Sequence, residues 1–169
     1  MPCISVQVMA QTVGPEGQPA VDAHGQAVLI PPQQAMQMMG PVTHVTVSLA
    51  QSMVSQLAQQ GIPVPPSISG HGLIDTGASV TCIDEAAARD AGFPIIDRAR
   101  MSSASHEDYL CNVYPIQVAI DGLPMSIEIE RGLGASLASQ GLLILIGRDL
   151  LQHGTLVYSG FTGTLTLCL

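Results

Sequence analysis

The sequence predicts a small, mainly β fold in which the sheet closes on itself or packs orthogonally. Apolar and polar residues alternate over several short segments, as at Ile116, Val118 and Ile120, and this period of two is typical of strands. Turns that contain glycine separate these segments, and helical spacing is confined to two or three short stretches. The 169-residue chain has no Trp and only two Phe, so Val, Ile, Leu, Met and Ala must fill its core.

The composition excludes several classes of function. The chain carries a net charge of −8, and its five basic residues are scattered arginines, so it has no basic surface for nucleic acid. Because lysine is absent, Schiff-base chemistry and the phosphate-loop lysine are excluded. The chain is 47% hydrophobic and only 11% charged, which indicates that a partner covers part of its surface.

No segment has the pattern of a membrane span or a secretion signal. The longest unbroken apolar run, residues 142–146, is far too short to cross a bilayer. The N-terminus lacks a basic segment followed by a sustained apolar run. We therefore expect a cytoplasmic protein that contacts neither membrane nor nucleic acid.

The chain divides into a weakly patterned N-terminal extension of uncertain role, residues 1–41, and a domain, residues 42–169. Within the extension, residues 4–8 alternate like a short strand, and residues 27–30 are a second short strand that ends at two prolines. The Met- and Gln-rich residues 33–39 are consistent with one helical turn or with an arm.

The first half of the domain is predicted to mix strands with two helices. Residues 45–49 alternate as a half-buried strand, and residues 53–58 repeat at helical spacing up to a glycine stop. Strands are also expected at residues 71–75 and 80–83. Asp84 is then a good N-cap for a helix over residues 85–91.

The second half is predicted to be almost entirely strand. Asp121-Gly122 is typical of a hairpin turn, and residues 142–146 are continuously apolar, as in a strand buried on both faces. Two hairpins are expected, which join residues 116–120 to 125–129 and residues 155–158 to 164–168.

The most informative segment is Leu73-Ile74-Asp75-Thr76-Gly77-Ala78-Ser79. Its apolar start can carry one carboxylate on a buried strand and present it from a tight loop of small residues. Peptide hydrolysis by carboxylates needs two aspartates that share a proton across a bound water, and this motif occurs once. Asp-Thr-Gly arises by chance in about one chain in fifty of this length, so alone it also fits a polar turn after a strand.

A second segment, Leu145-Ile146-Gly147-Arg148-Asp149-Leu150-Leu151, lies 72 residues later. Taken alone it indicates an ordinary strand-to-helix junction. Together the two segments resemble the retropepsin-like aspartic proteases, in particular the bacterial and other cellular members. The first matches the catalytic loop of that family and the second its other signature. The resemblance covers roughly residues 42–169.

The resemblance implies a small closed β-barrel-like acid protease fold with one or two short helices, acting as a homodimer on a peptide or protein substrate without a cofactor. It implies Asp75 as the catalytic aspartate, Thr76 as a hydroxyl clamp to the partner's loop, and Gly77 as the close-approach glycine. Substrate contacts are implied for Ala78, Ser79, Ser103, Ala104, Ser105, His106 and Ile146. Structural support of the site is implied for Gly147, Arg148 and Asp149.

Three features depart from the retroviral members of this family. The flap is expected at residues 100–110, but its tip is Ser102-Ser103-Ala104-Ser105-His106 rather than glycine-rich. Ser79 stands where those members have an aspartate that pairs with the arginine of the second signature. Arg148 must therefore find another partner, either Asp149 or a carboxylate across the dimer. The chain also ends in an apparent hairpin, which predicts a differently built dimer interface.

Other interpretations stay open. The same fold and groove would suit a non-catalytic dimeric module that binds peptide or a partner, and residues 1–40 could regulate the site by covering it. Asp149 is a weak candidate for a second catalytic aspartate, because no Thr-Gly or Ser-Gly follows it.

The cysteines and histidines show no pattern typical of a metal site. The four cysteines lie far apart, and neither they nor the five histidines have metal-ligand spacing. Isolated cysteines are usually small core residues, although two disulfides are possible. His71 is expected to be structural, and no metal is expected.

Overall fold

The computed structural model of the chain describes residues 1–13, 18–102 and 109–169. These ranges contain twelve strands, four short α-helices and one 3-10 helix, Ala138–Gln140. The strands are β1 Cys3–Gln7, β2 Ala10–Gln11, β3 Leu29–Ile30, β4 Val42–Leu49, β5 Ile68–Ile74, β6 Cys82–Asp84, β7 Asp97–Met101, β8 Tyr109–Ile120, β9 Ser126–Ala135, β10 Ile144–Ile146, β11 Thr155–Ser159 and β12 Thr164–Cys168. The helices are α1 Pro32–Met39, α2 Gln51–Gln59, α3 Glu85–Asp90 and α4 Arg148–Leu151.

Six strands close into a barrel. Their order is β4-β5-β10-β6-β9-β8, and β8 pairs again with β4, while β7 extends the sheet beyond β8. Separately, β1, β12 and β11 form a three-stranded sheet, and β2 pairs with β3. The predicted mainly β, closed fold with short helices is confirmed. Closure also leaves no free edge within the barrel itself.

Strand β10 joins the two sequence segments in space. It lies between β5 and β6, parallel to β5 and antiparallel to β6. Ile146 at the end of β10 is the register partner of Ile74 at the end of β5. Because the two strands run in the same direction and end together, Asp75 and Gly147 leave the barrel side by side.

The core beneath this junction is closely packed. Ile144 and Ile146 are fully buried, and Gly72 of β5 lies against them. A Cβ atom on Gly72 would stand 2.9 Å from Ile144 Cγ2 and 3.0 Å from the Val45 side chain. Glycine at this position therefore lets β5 approach its neighbours on the inner side of the barrel.

The extension packs into the same core as the rest of the chain. The buried residues Ile4, Val8, Ala35 and Met36 belong to the main hydrophobic cluster, and β1 runs antiparallel to β12. Residues 33–39, which fitted either one helical turn or an arm, belong to the helix α1.

Cys3 of β1 lies opposite Cys168 of β12. These two cysteines form a disulfide with an S–S distance of 2.02 Å. Cys82 and Cys111 are buried free thiols, as isolated cysteines usually are.

Asp84 caps α3 as predicted and also holds a distant loop. One carboxylate oxygen accepts from the Ala87 N–H at 2.9 Å, and the other accepts from the N–H groups of Leu137 at 2.8 Å and Ala138 at 2.9 Å. Burial acts to raise the pKa of Asp84, but these backbone donors together lower it below the ordinary carboxyl value. The charged form is therefore the one that the fold favours.

We expect Asp84→Ala to lower the free energy of unfolding by about 2 kcal/mol at neutral pH, because three backbone donors lose their acceptor. The pKa of Asp84 is lower in the folded chain than in the unfolded chain. The stabilisation is therefore complete above the unfolded pKa of about 4 and is lost as pH falls through the folded pKa. Urea unfolding of both proteins is measured at pH 7 and below pH ~4. The difference in the free energy of unfolding between the variant and wild type should be smaller at the acidic pH. Asp90→Ala, which removes an exposed carboxylate of the same helix, is the matched control and should change stability little. An equal loss for both variants would contradict the capping role.

Within the three described ranges, no helix has the length and apolar character needed to cross a membrane.

Candidate active site

Asp75 lies immediately after β5 and is fixed through both its backbone and its side chain. Its N–H donates to the Ile146 carbonyl oxygen at 2.9 Å, which continues the β5–β10 pairing by one residue. Its carboxylate Oδ1 accepts from the Gly77 N–H at 2.8 Å. A Cβ atom on Gly77 would stand 3.0 Å from that same oxygen, so a side chain there would crowd the carboxylate. The half-buried Asp75 thus presents a carboxylate in one orientation.

Arg148 donates hydrogen bonds to the backbone of the loop that follows Asp75. Its backbone N–H donates to the Ala78 carbonyl at 3.0 Å, and its Nη1 donates to the carbonyl oxygens of Thr76 at 2.7 Å and Gly77 at 3.1 Å. Arg148 was expected to pair with Asp149 or with a carboxylate across the dimer. In the described part of the chain its guanidinium binds backbone carbonyls of the loop rather than Asp149. A planar guanidinium with several donors suits two neighbouring acceptors.

Asp149 points into a different, buried network. Its two carboxylate oxygens accept from the Thr81 hydroxyl at 2.7 Å and the Thr81 N–H at 2.9 Å. The same hydroxyl accepts from the Gly147 N–H at 3.1 Å. Thr81 is fully buried, so these bonds lock the start of β6 to the β10–α4 junction. Both carboxylate oxygens of Asp149 are therefore engaged by Thr81.

Sequence reasoning did not identify Thr81. The signal was present in Val80-Thr81-Cys82-Ile83, where one hydroxyl residue interrupts an apolar strand. A polar group in a buried strand must find a hydrogen-bond partner, and here that partner lies 68 residues away.

The other predicted site residues fall in different places. Thr76 and Ser79 are exposed at the loop surface, and Ala78 is half-buried. Ile146, expected against substrate, has a fully buried side chain and contributes its carbonyl to Asp75. Four expected contacts, Ser103, Ala104, Ser105 and His106, lie outside the described residues.

The flanks of the predicted flap pair as two arms of one hairpin. β7 runs antiparallel to β8, with Arg100 opposite Leu110 and Met101 opposite Tyr109. Met101 Sδ contacts Cys82 Sγ at 3.8 Å, so the C-terminal end of β7 packs against β6.

Cys82 is a thiol near the site, but its environment favours the protonated form. Burial is the main reason that its pKa is raised to about 11, and the neighbouring Cys111, Asp149 and Asp75 add to the effect. A thiol with this pKa stays protonated at neutral pH and is a poor nucleophile. The carboxylate of Asp75 is therefore the better candidate for chemistry.

An open cleft lies beside Thr76. Its volume is about 300 Å³, and apolar side chains line much of it. The lining residues are Thr76, Arg148, Leu151, Gln152, Gly154 and Leu156. Across the described ranges, no three His, Cys, Asp or Glu side chains are grouped to ligate one metal ion.

No protein-family model and no curated protein sequence matches the chain significantly. Among solved structures, the chain is similar to the crystal structure of a retropepsin-like aspartic protease from Rickettsia conorii. The sequence identity is 15% and the TM-score is 0.42, and the match covers 75% of this chain and 90% of the other.

Proposed function

We propose that the chain is an aspartic endopeptidase that acts as a homodimer, with Asp75 of each chain forming the catalytic pair. The observation that carries this proposal is the fixed carboxylate of Asp75, which the Gly77 N–H orients at 2.8 Å on a loop clasped by Arg148. A carboxylate held in this way at the end of a buried strand is suited to meet a second carboxylate with little rearrangement.

Two such carboxylates would share one proton. Like charges at close range cannot both ionise, so one carboxylate stays charged and the other neutral. The charged one takes a proton from a bound water, whose oxygen attacks the peptide carbonyl carbon. The neutral one gives its proton to the carbonyl oxygen as the tetrahedral intermediate forms. Collapse of that intermediate breaks the C–N bond: the carboxyl group that is now neutral gives its proton to the leaving nitrogen, and the charged carboxylate takes a proton from one hydroxyl of the intermediate, which restores the single shared proton.

The second carboxylate must come from another copy of the chain. The Asp-Thr-Gly motif occurs once, and Asp149 is engaged by Thr81 through both of its oxygens. Exposed Thr76, next to Asp75, faces the open cleft and would donate its hydroxyl across the dimer axis. The site is thus incomplete in one chain.

A surface suited to a second copy continues from this cleft. Leu156 belongs both to the cleft and to β11, which pairs with β12 along one edge and borders the three-stranded sheet. Val157, Tyr158 and Phe161 are 54%, 52% and 90% exposed around this edge. An edge strand with apolar neighbours favours pairing with another chain.

The experiment is cleavage by mixed dimers. Wild-type chain is incubated with an unfolded protein over about pH 3 to 7, new peptide termini are identified by mass spectrometry, and a pepstatin-type inhibitor is added as a check. Wild type is then mixed with an equal amount of Asp75→Asn chain at fixed total concentration and allowed to exchange subunits. If the site is shared, only dimers of two wild-type chains cleave the substrate. The cleavage rate should then fall to about one quarter of the rate of wild type alone at the same total concentration.

A fall to only about one half would mean that each chain has a complete site, and it would overturn the shared-site proposal. Absence of cleavage together with peptide binding by a stable dimer would favour the non-catalytic binding module.

A further inference from the structure

A second group of chemically active side chains lies on the outer face of the barrel. His44 of β4 and His71 of β5 are direct register partners, and both side chains are exposed. Their ring centroids are 5.9 Å apart and the ring planes are nearly perpendicular, at 88°. His71 lies four residues before Asp75, roughly 13 Å along the strand, so the proposed peptide chemistry uses neither ring.

Asp121 fixes the orientation of the His44 ring. Its Oδ2 lies 2.9 Å from His44 Nδ1, and its backbone N–H donates to the His44 carbonyl oxygen at 3.1 Å. The carboxylate is therefore tied to the same residue whose ring it contacts. An Nδ1–H group that donates to a carboxylate leaves the lone pair on Nε2, which is the form of imidazole that binds metal ions.

We propose that His44 and His71 form a surface site for a divalent transition-metal ion such as Zn²⁺, with Asp121 as the positioning residue. A zinc ion bonded to one nitrogen of each ring at about 2.0 Å, in tetrahedral geometry, requires ring centroids roughly 5 Å apart. The observed 5.9 Å is within reach of small side-chain rotations. Water completes the coordination, because the chain supplies two ligands.

The surroundings favour a metal over a simple ion pair. An ion pair between His44 and Asp121 involves side chains that are 49% and 61% exposed, and such pairs contribute little. The next pair on this face, Thr46 and Ser69, is satisfied by its own hydrogen bond of 2.9 Å. A bound metal ion instead uses both rings and the carboxylate together.

The test is isothermal titration calorimetry with ZnCl₂ on the full-length chain without a histidine tag. We expect one zinc ion per chain. His44→Ala and His71→Ala should each remove most of the binding, and Asp121→Asn should weaken it about tenfold or more. His24→Ala and His153→Ala, which change exposed histidines elsewhere, should bind as wild type does.

A second readout is independent of any catalytic activity. Zinc should raise the melting temperature of wild type, because it binds the folded chain, and should leave that of the His44→Ala/His71→Ala double variant unchanged. Circular dichroism checks that the variants are folded. Equal zinc affinity in wild type and the double variant, no binding by wild type, or loss of binding in a Cys82→Ser/Cys111→Ser variant would each overturn the proposal.

Discussion

Asp75→Asn should abolish peptide cleavage, with a loss of at least about a thousandfold, while the chain stays folded. Asparagine has nearly the same shape as aspartate, and its side-chain oxygen can still accept the 2.8 Å bond from Gly77 N–H. It cannot take a proton from water or hold one for the leaving nitrogen. The change therefore removes the chemistry and leaves the loop intact.

The loss is measured as the rate of cleavage of an unfolded protein, and the fold is checked by circular dichroism and thermal melting. Asp90→Asn is the control, because it makes the same chemical change at an exposed carboxylate on α3. Cleavage by Asp75→Asn at the wild-type rate would end the proposal of an aspartic protease.

Gly147→Ala should strongly destabilise the chain. The added Cβ atom would stand 2.6 Å from the Val80 carbonyl carbon, 2.8 Å from the Val80 oxygen and 2.9 Å from the Thr81 nitrogen. All three are backbone atoms, so no flexible side chain can move aside. We expect a loss of about 3 kcal/mol in the free energy of unfolding, and lower activity because Arg148 follows directly.

Urea unfolding measures this loss. Gly160→Ala is the matched control, since its Cβ atom would meet only the Tyr158 ring at an ordinary 3.4 Å and Gly160 is not among the glycines with positive φ. Equal stability of Gly147→Ala and wild type would show that β6 and the β10–α4 junction are not held as closely as described.

Features that depend on neighbouring residues were predictable from the sequence. The alternation at Ile116, Val118 and Ile120 predicted a strand that became part of β8, and Asp121-Gly122 stands at the turn into β9. Asp84 was predicted as an N-cap, and it accepts from the Ala87 N–H. Periodicity and capping are local properties, so a single sequence carries them.

Features that join distant residues were not predictable in the same way. Nothing near Cys3 indicates that it bonds Cys168, because the two are 165 residues apart. Arg148 was predicted to support the site, but the sequence did not indicate that its acceptors are the carbonyl oxygens of Thr76 and Gly77. Every residue has a carbonyl, so no residue type reveals which one an arginine binds.

The disulfide between Cys3 and Cys168 closes a covalent loop over a sequence separation of 165 residues. A single break of the backbone anywhere between these cysteines would leave both pieces joined. A chain cut once within this loop would therefore stay in one piece on a non-reducing gel and separate into fragments only after reduction.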